Sequence, residues 1–579
     1  AAQVDNPELA QAFTSWPSTV AASKDLEPGK YDYVIVTTAA LQASFAPLLA
    51  LRQQQGHTAR FMTMEEILPA FTGRDDTEKL RAFIISAYQA WGTRYVLLGG
   101  DADCKASGGE SGPVVVPCRK LMATGGGMRG DIPADLYFSC LDGDFDNNHN
   151  NVFGEKNDGV NGGDVDLLAE VYVGRAPVDT AAEAENFVKK IVLWETSSDS
   201  TPPKALLLGE LLWDDPTWGC DYMEEIRWGA GTWGMVTEGF SPGPFDLSTL
   251  YDKALNFPST TGGAAGNAAN MKWKAWGKAE LMPLLQEGNF TLINHLGHCN
   301  TDYCMRIRNP DADSLTNTKS FLVYSQGCYP GSFDNMGTSS PVAHDAFGEH
   351  LVGNPSGAFA FIGNSRYGWG SHNDTGGSSQ FFHRQFVDAF RGEKILELGR
   401  IHQDAKEDNI PIVNEEDNRW CYYQLNIFGD PLTRLVFSSR RGQLALTPGT
   451  ADLQHPVTVR LYDQDLNLRP DQIDEVTLTV ATSQGDREDL RLKEKGTDYG
   501  IFTGTLAVKA GPPAASSGTL EVADGEKIRC TYQDADDGTG QSRLLTAEIK
   551  VDAAPPEVRD LAVASVVAMQ ATEPLQQHV

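Results

Sequence analysis

Long apolar runs and basic clusters are both missing from the sequence. No stretch approaches about 18 consecutive apolar residues, the length that marks a membrane-spanning helix. The 47 lysines and arginines are scattered among 78 aspartates and glutamates, so the net charge is −31. Nucleic-acid backbones and anionic membranes attract basic surfaces, and we therefore expect no nucleic-acid partner and no membrane insertion.

Several common catalytic signatures are absent as well. The sequence contains no HExxH, no Walker A loop and no GxSxG. Residues 125–130 match GxGxxG literally, but no strand pattern leads into them, so we predict a flexible loop rather than a dinucleotide site. None of these motifs directs the functional assignment.

The nine cysteines are an odd number in a chain with other marks of export. An Ala-Ala start is typical of signal cleavage at a small-residue site, so we expect a secreted or cell-surface protein of bacterial type. Pairing of eight cysteines would leave one free thiol, and Cys104 with Cys118 is the predicted bridge because both lie in one loop. A single reactive cysteine is the feature to look for.

Two hydrophobic patterns divide the 579 residues. Short apolar strands alternate with helices between residues 31 and 437, which predicts two tandem α/β units with mostly parallel sheets. Period-2 alternation after residue 440 predicts a β-sandwich. The predicted divisions are 1–199 for the first unit with its acidic loop, 200–439 for the second, 440–552 for the sandwich, and 553–579 for a linker or the start of a further β domain in a longer chain.

The most informative motifs are two strand ends in the second unit. Leu292-Ile-Asn-His-Leu-Gly-His298 and Leu322-Val-Tyr-Ser-Gln-Gly-Cys328 are apolar strands that run into small-residue turns. Because neighbouring parallel strands end at one edge of a sheet, we expect His298 and Cys328 to face each other there. An imidazole beside a thiol favours the thiolate and later protonates a leaving amine. The alternative is that both residues are simply packed in the core.

Four runs in the right order resemble the gingipain family of cysteine peptidases. They are Leu292 to His298, Gly327-Cys328-Tyr-Pro-Gly331-Ser-Phe333, Glu170-Val-Tyr-Val-Gly174-Arg175 and Phe428-Gly-Asp-Pro431. The resemblance covers residues 30–437. It implies a caspase-like fold for both α/β units, with an immunoglobulin-like sandwich behind them.

The same resemblance implies roles for three residues. Cys328 matches the nucleophile, His298 matches the general base, and Glu170 falls at the place of the carboxylate that orients the histidine. An ordinary solvated carboxylate is the other interpretation of Glu170. The family usually has glycine after the histidine, where this chain has Cys299. That side chain would crowd the oxyanion hole or pair with Cys304.

The family also suggests cleavage after Arg or Lys, through an acidic residue in the first specificity pocket. That residue aligns near Glu183, but Thr180-Ala-Ala-Glu183 is a capping box, and we favour the cap. Trp369 follows a strand end near the predicted site. It is predicted either to wall the pocket or to pack in the core.

An acidic loop predicts a calcium site. Oxygen-bearing side chains occur at alternate positions, as a hard cation requires, and the resemblance implies structural calcium as well. The predicted ligands are Asp142, Asp144, Asp146, Asn148 and Glu155. A solvated turn is the alternative, because Asp and Asn also suit turn geometry.

The sequence therefore predicts a secreted cysteine endopeptidase that acts on proteins or peptides through Cys328, His298 and Glu170. The main rival is an inactive gingipain-like protein that serves in adhesion, which Cys299 favours slightly. A glycan- or surface-binding module without catalytic ancestry would require the four motif matches to be chance.

Overall fold

The computed structural model describes residue 26 and residues 29–103, 114–159, 164–197, 203–212, 218–229, 238–252, 276–371, 374–437, 439–469, 471–497, 499–538 and 540–553. The predicted bridge from Cys104 to Cys118 involves a residue outside these ranges. The predicted linker or further β domain lies outside them too, except for residue 553.

The α/β part contains fourteen described strands. They are β1 (Tyr33–Thr37), β2 (Ala59–Thr63), β3 (Tyr95–Gly99), β4 (Arg119–Gly125), β5 (Met128–Ala134), β6 (Tyr172–Ala176), β7 (Lys204–Gly209), β8 (Asp246–Tyr251), β9 (Leu292–Leu296), β10 (Tyr303–Cys304), β11 (Ile307–Arg308), β12 (Phe321–Ser325), β13 (Ala358–Asn364) and β14 (Leu425–Phe428). Four of them, β1, β9, β12 and β13, are mostly apolar runs of five to seven residues with every residue buried, as in sheets covered on both faces.

Ten of these strands form one sheet, in the order β2-β1-β3-β6-β14-β13-β12-β9-β7-β8. Every neighbouring pair is parallel except β13 with β14. The sheet thus has two parallel halves that point in opposite directions. The strands of the two predicted α/β units share this one sheet, because β14, from the second unit, pairs with β6 of the first.

Helices cover the sheet. They are α1 (Gln42–Gln54), α2 (Met64–Ala70), α3 (Asp76–Trp91), α4 (Leu136–Ser139), α5 (Ala181–Thr196), α6 (Trp218–Trp228), α7 (Lys278–Glu287), α8 (Asn309–Asp313), α9 (Phe347–Gly353), α10 (Ser378–Arg391), α11 (Leu398–Glu407) and α12 (Asn418–Gln424). Among the residues that the structure describes, none of the helices has the length and apolar character needed to cross a membrane.

The glycine-rich segment at 125–130 is not the flexible loop that the sequence predicts. Strands β4 and β5 pair there as an antiparallel hairpin, with Gly125 opposite Met128. Gly126 and Gly127 form its two-residue turn with φ of 52° and 76°. Two successive residues with positive φ are what a tight hairpin turn requires, and glycine adopts this conformation without steric cost.

The C-terminal part is built mainly of β-strands, with one short 3-10 helix at Gln464–Leu466. Its described strands are β15 (Gln443–Thr447), β16 (Thr450–Ala451), β17 (Val457–Tyr462), β18 (Glu475–Thr482), β19 (Arg487–Glu494), β20 (Ile501–Ala510), β21 (Thr519–Val522), β22 (Lys527–Asp534) and β23 (Arg543–Val551). They enclose a separate apolar core that includes Val459, Leu492, Phe502 and Ile528. The alternating pattern after residue 440 is confirmed as β structure, whereas the immunoglobulin-like assignment stays a prediction.

Candidate active site

The two strand-end turns singled out in the sequence lie side by side. Strands β9 and β12 are parallel neighbours, and their register places Ser325 opposite His295. The N–H of Gln326 donates to the His295 carbonyl at 3.0 Å, which continues the ladder past the end of β12. His298 and Cys328 follow two and three residues beyond these strands. Both therefore stand at the carboxyl edge of the same half-sheet.

Cys328 is half-buried in the turn after β12. Its Sγ lies 3.8 Å from the carbonyl oxygen of Gly368. Burial raises the pKa of the thiol to about 11, only partly offset by its contact with Gly368. The resting thiol is therefore neutral at physiological pH, and it needs a base before it can attack a carbonyl.

His298 is exposed at the end of its turn. The ring Nε2 lies 3.0 Å from the carbonyl oxygen of Leu212, where it can donate a hydrogen bond. Within the described residues no hydrogen bond joins the ring to Cys328. Catalytic hydrogen bonds are often long in unliganded enzymes and shorten when substrate binds, and rotation of an exposed imidazole is a small change.

Glu210 is a residue that the sequence analysis missed. It directly follows β7, the other neighbour of β9, and it is buried. Its Oε1 lies 2.9 Å from His295 Nε2, and its Oε2 accepts a 3.4 Å hydrogen bond from the N–H of His298. Burial raises the pKa of Glu210, but His295 and Arg306 outweigh this effect and lower it. Glu210 therefore carries a buried negative charge directly beneath the histidine turn.

His295 completes this ion pair. Burial lowers the pKa of its imidazole, but Cys299 and Glu210 outweigh burial and raise it to about 9. The ring is thus protonated at neutral pH, and its second nitrogen lies 2.9 Å from Ser325 Oγ. In the sequence, Glu210 is a carboxylate directly after a predicted strand. The sequence does not show that this strand pairs with β9.

The structure does not bring Glu170 to His298. Glu170 precedes β6, and strands β14, β13 and β12 stand between β6 and β9. At the usual spacing between strands, four steps amount to about 19 Å. The carboxylate instead accepts a 2.7 Å hydrogen bond from the N–H of Leu141. Burial raises its pKa to about 7.

Glu183 forms the predicted capping box at the start of α5. Its N–H donates to Thr180 Oγ1 at 3.3 Å, and its Oε2 accepts from the N–H groups of Thr180 and Asp179, both at 3.0 Å. None of the hydrogen bonds and ion pairs of the described residues connects Glu183 with Cys328 or His298. The helix cap is therefore the role that the geometry supports.

Trp369 lies next to the nucleophile turn. It follows Gly368, whose carbonyl contacts Cys328, and its ring packs edge-on against Trp420. The backbone of Gly125 and Gly126 approaches the ring so closely that a Cβ on either residue would come within about 3.0 Å of it. The hairpin of β4 and β5 thus covers one side of Trp369, which remains half-buried beside the candidate site.

The predicted calcium ligands do not converge on one point. Asp142 lies with Asp166 and Glu170, and ligand atoms of these three residues are within 4.8 Å of one another. Asp144 accepts a hydrogen bond from the N–H of Asp146 at 2.8 Å. Asp146 in turn accepts from backbone N–H groups and from Arg74.

The last two predicted ligands form a contact of their own. Glu155 accepts hydrogen bonds from the side-chain amides of Asn148 at 3.3 Å and Asn150 at 2.7 Å. Hydrogen bonds within the loop therefore satisfy much of its polar surface, as expected for a turn built from Asp and Asn.

A second acidic cluster fits a cation better. Asp101 and Asp103 follow β3, and their carboxylates lie within 4.8 Å of those of Asp179 and Asp345. Within the described structure, buried oxygens of Asp101, Asp179, Glu349 and Asn335 receive no hydrogen bond. Buried acceptors without donors are costly, and a calcium ion, which takes six to eight oxygens, would satisfy them.

One family covers most of the α/β part of the chain. The sequence profile of Peptidase family C25 matches residues 26–436. The chain belongs to Peptidase family C25. The gingipain resemblance is therefore confirmed, and the protein is a cysteine endopeptidase whose substrates are proteins or peptides.

Several solved structures are similar to the chain at low sequence identity. Gingipain R (RgpB) matches at 15% identity over 92% of this chain and 99% of its own, with a TM-score of 0.49. The complex of RgpB pro- and mature domains from Porphyromonas gingivalis matches at 14% over 90% and 100%, with a TM-score of 0.46. Latent PorU from the same organism matches at 15% over 92% and 44%, with a TM-score of 0.34. No curated protein matches the chain. Similarity at this level does not indicate a function. The family assignment depends on the profile match to residues 26–436.

Proposed function

We propose that this C25 peptidase cleaves peptide bonds with Cys328 as nucleophile and His298 as general base and acid. The observation that carries the proposal is the pairing of β9 with β12, because it sets a thiol and an exposed imidazole on adjacent turns at the carboxyl edge of a parallel sheet. Family membership supplies the reaction class, and the two residues supply the groups that it needs.

The proposed reaction begins from a neutral thiol. When a substrate fills the site, the His298 ring leaves the Leu212 carbonyl and accepts the proton of Cys328. The sulfur then forms a bond to the substrate carbonyl carbon, and the C–N bond breaks as the imidazolium gives its proton to the leaving amine. Water, deprotonated by His298, hydrolyses the thioester and restores the thiol.

The backbone next to both groups supplies the proposed oxyanion hole. Among the hydrogen bonds of the described residues, none uses the N–H of Cys299 or of Cys328 as donor. Two free N–H groups at neighbouring turns suit the charge that develops on a carbonyl oxygen in acyl transfer. Cys299 replaces the usual glycine, but its sulfur points toward Gly327 and Cys304.

Glu210 is the proposed positioning carboxylate. It holds the N–H of His298 and the ring of His295, so it fixes the turn on which the base stands. Its buried charge would also stabilise the imidazolium that forms during the reaction. Glu170 has no such contact, and we assign it no role in orienting the histidine.

Cleavage after Arg or Lys remains part of the proposal, without Glu183 as the selecting residue. The carboxylate of Glu183 is engaged in the capping box, and a net charge of −31 favours cationic substrates in general. Trp369, half-buried beside Cys328, is the proposed pocket wall. Export to the bacterial surface or medium belongs to the same proposal.

Structural calcium is proposed at the cluster of Asp101, Asp103, Asp179 and Asp345. Its buried oxygens without donors support a bound cation more strongly than the loop at 142–155 does. Calcium at about 100 times its Kd should add about 2.7 kcal/mol to stability. Thermal unfolding with and without calcium should show this gain in wild type and in Asp144→Asn, and should show it lost in Asp101→Asn. An equal gain in both variants would contradict the placement.

Peptide-library cleavage tests the proposed reaction. Wild type with a mild thiol reductant should cut, and Cys328→Ala should be slower by about 10⁶-fold, as when other catalytic nucleophiles are removed. Cys530→Ala, in the separate C-terminal core, is the matched control and should cut normally. Failure of folded wild type to cut any library peptide would favour the rival assignment, an inactive adhesion or binding protein.

A further inference from the structure

Two cysteines flank the tight turn that follows His298. Between them, Asn300 and Tyr303 exchange both backbone hydrogen bonds, at 2.8 and 3.3 Å. The exchange forms an isolated antiparallel bridge that closes the turn. Cys299 and Cys304 lie directly outside this bridge, one on each side, so the turn brings the two cysteines together.

The two side chains face each other. Cys299 Sγ and Cys304 Sγ are 2.8 Å apart, with both residues reduced. A disulfide would require the sulfurs to approach by about 0.8 Å, to about 2.0 Å. A tetrahedral zinc site with His295 as third ligand would require them to separate to about 3.8 Å. The bond needs the smaller movement and buries no thiolate charge.

This pair touches the nucleophile turn. Cys299 Sγ lies against Gly327, where an added Cβ would be 2.1 Å from the sulfur. Gly327 directly precedes Cys328, and Cys299 directly follows His298. A covalent link at Cys299 would consequently fix the turn of the base against the turn of the nucleophile.

We propose that Cys299 and Cys304 form a disulfide bond that locks the His298 turn, and that this oxidised form is the active enzyme. The existence of the bond does not depend on the peptidase reaction. Its effect on activity rests on the function proposed above.

The chemistry is an exchange with a disulfide oxidant, such as oxidised glutathione or an oxidised protein dithiol met during export. The thiolate of Cys299, the more exposed of the two, attacks the oxidant and releases one thiol. Cys304 then loses its proton to solvent, and its sulfur displaces the second thiol from the mixed disulfide. The protein loses two hydrogens, and the oxidant gains them as two thiols.

Peptide mapping tests the bond itself. The full chain, folded with oxidised glutathione, is alkylated in denaturant without reduction and then cut before Asp302, which separates the two cysteines. We expect one species in which the two peptides are joined, two hydrogens lighter than their sum. Alkylation of both cysteines as free thiols would overturn the proposal. So would native mass spectrometry showing one bound zinc and reduced cysteines after folding with zinc.

Reductant titration tests the effect on activity. A mild monothiol keeps Cys328 reduced and leaves the bond intact, so activity should be maximal there. Prolonged treatment with a phosphine should lower kcat by about tenfold or more, because displacing a catalytic group by about 1 Å costs up to about 100-fold. Cys304→Ser should have the lowered kcat before any treatment, and phosphine should not lower it further. Cys530→Ala should behave as wild type. Full activity of Cys304→Ser, or of phosphine-treated wild type with the bond mapped as broken, would overturn the lock.

Discussion

Two glutamates, the buried Glu210 and the half-buried Glu170, lie in opposite electrostatic environments. Glu210 lies between two cations, His295 and Arg306, and its pKa is lowered. Glu170 lies beside Asp142 and Asp166, and burial raises its pKa to about 7. The first is a charged support for the histidine turn, and the second belongs to an acidic cluster in the loops before β6. The comparison teaches that a glutamate at a strand end acquires a role only through the strands beside it.

Glu210→Gln should have the largest effect. Loss of this charge leaves protonated His295 buried without its partner, which costs about 3 to 5 kcal/mol of stability. The His298 turn also loses a support, so kcat/KM should fall by about 100-fold. Denaturant unfolding and steady-state kinetics on one peptide measure both effects.

Glu170→Gln is the matched control for that change. It removes a half-buried carboxylate that does not touch the histidine turn, and kcat/KM should stay within about twofold of wild type. If Glu170→Gln loses activity while Glu210→Gln keeps it, the roles of the two glutamates are reversed.

The raised pKa of the Cys328 thiol predicts how its alkylation rate depends on pH. Burial raises the pKa of Cys328 to about 11, so the neutral thiol dominates below that pH. The rate of Cys328 alkylation should therefore rise about tenfold per pH unit between pH 7 and 10, because only the thiolate reacts. Iodoacetamide labelling of the Cys328 peptide, followed by mass spectrometry, gives this profile.

Neither glutamate contributes to the raised pKa of the thiol. Glu210→Gln and Glu170→Gln should accordingly keep the wild-type alkylation profile. A rate that is already constant at pH 7 would mean that a thiolate–imidazolium pair exists in the resting enzyme, contrary to the contact between His298 and Leu212.

The smallest effect is expected for a third glutamate, Glu183. Glu183→Ala removes one half of the capping box and should cost about 1 kcal/mol of stability, as should Thr180→Ala. Neither change should alter the preferred residue before the cut. A loss of Arg or Lys preference in Glu183→Ala alone, read from library cleavage, would restore Glu183 to the specificity pocket.

Local elements of the α/β part were predictable from the sequence. The strands at 95–99 and 321–325 and the helix Asp76–Trp91 fit the alternation of apolar strands and helices predicted between residues 31 and 437, because each is an apolar or amphipathic run with clear breakers. Strand order was not predictable. The four-residue strand β14 joins the strands of the two predicted units through a pairing with β6 that no local pattern encodes.

Some residues of the candidate site were predictable from the sequence and others were not. Cys328 and His298 each follow an apolar strand at a small-residue turn, so the sequence alone predicted that both stand at one edge of the sheet. Glu210 carried no such mark, since its partner His295 is 85 residues away in sequence. The acidic cluster proposed as a cation site was missed for the same reason, because Asp101 and Asp345 come together only through the loop after Cys328.

Covalent labelling tests whether Cys328 is the nucleophile and His298 its base. A peptidyl acyloxymethyl ketone, which reacts with catalytic cysteines, is incubated with wild type, His298→Ala and Glu210→Gln, and the labelled peptide is sequenced by mass spectrometry. We expect a single adduct on Cys328 in wild type. Labelling should be at least about 100-fold slower in His298→Ala and should have an intermediate rate in Glu210→Gln. Label on another cysteine, or equal rates in wild type and His298→Ala, would contradict these roles.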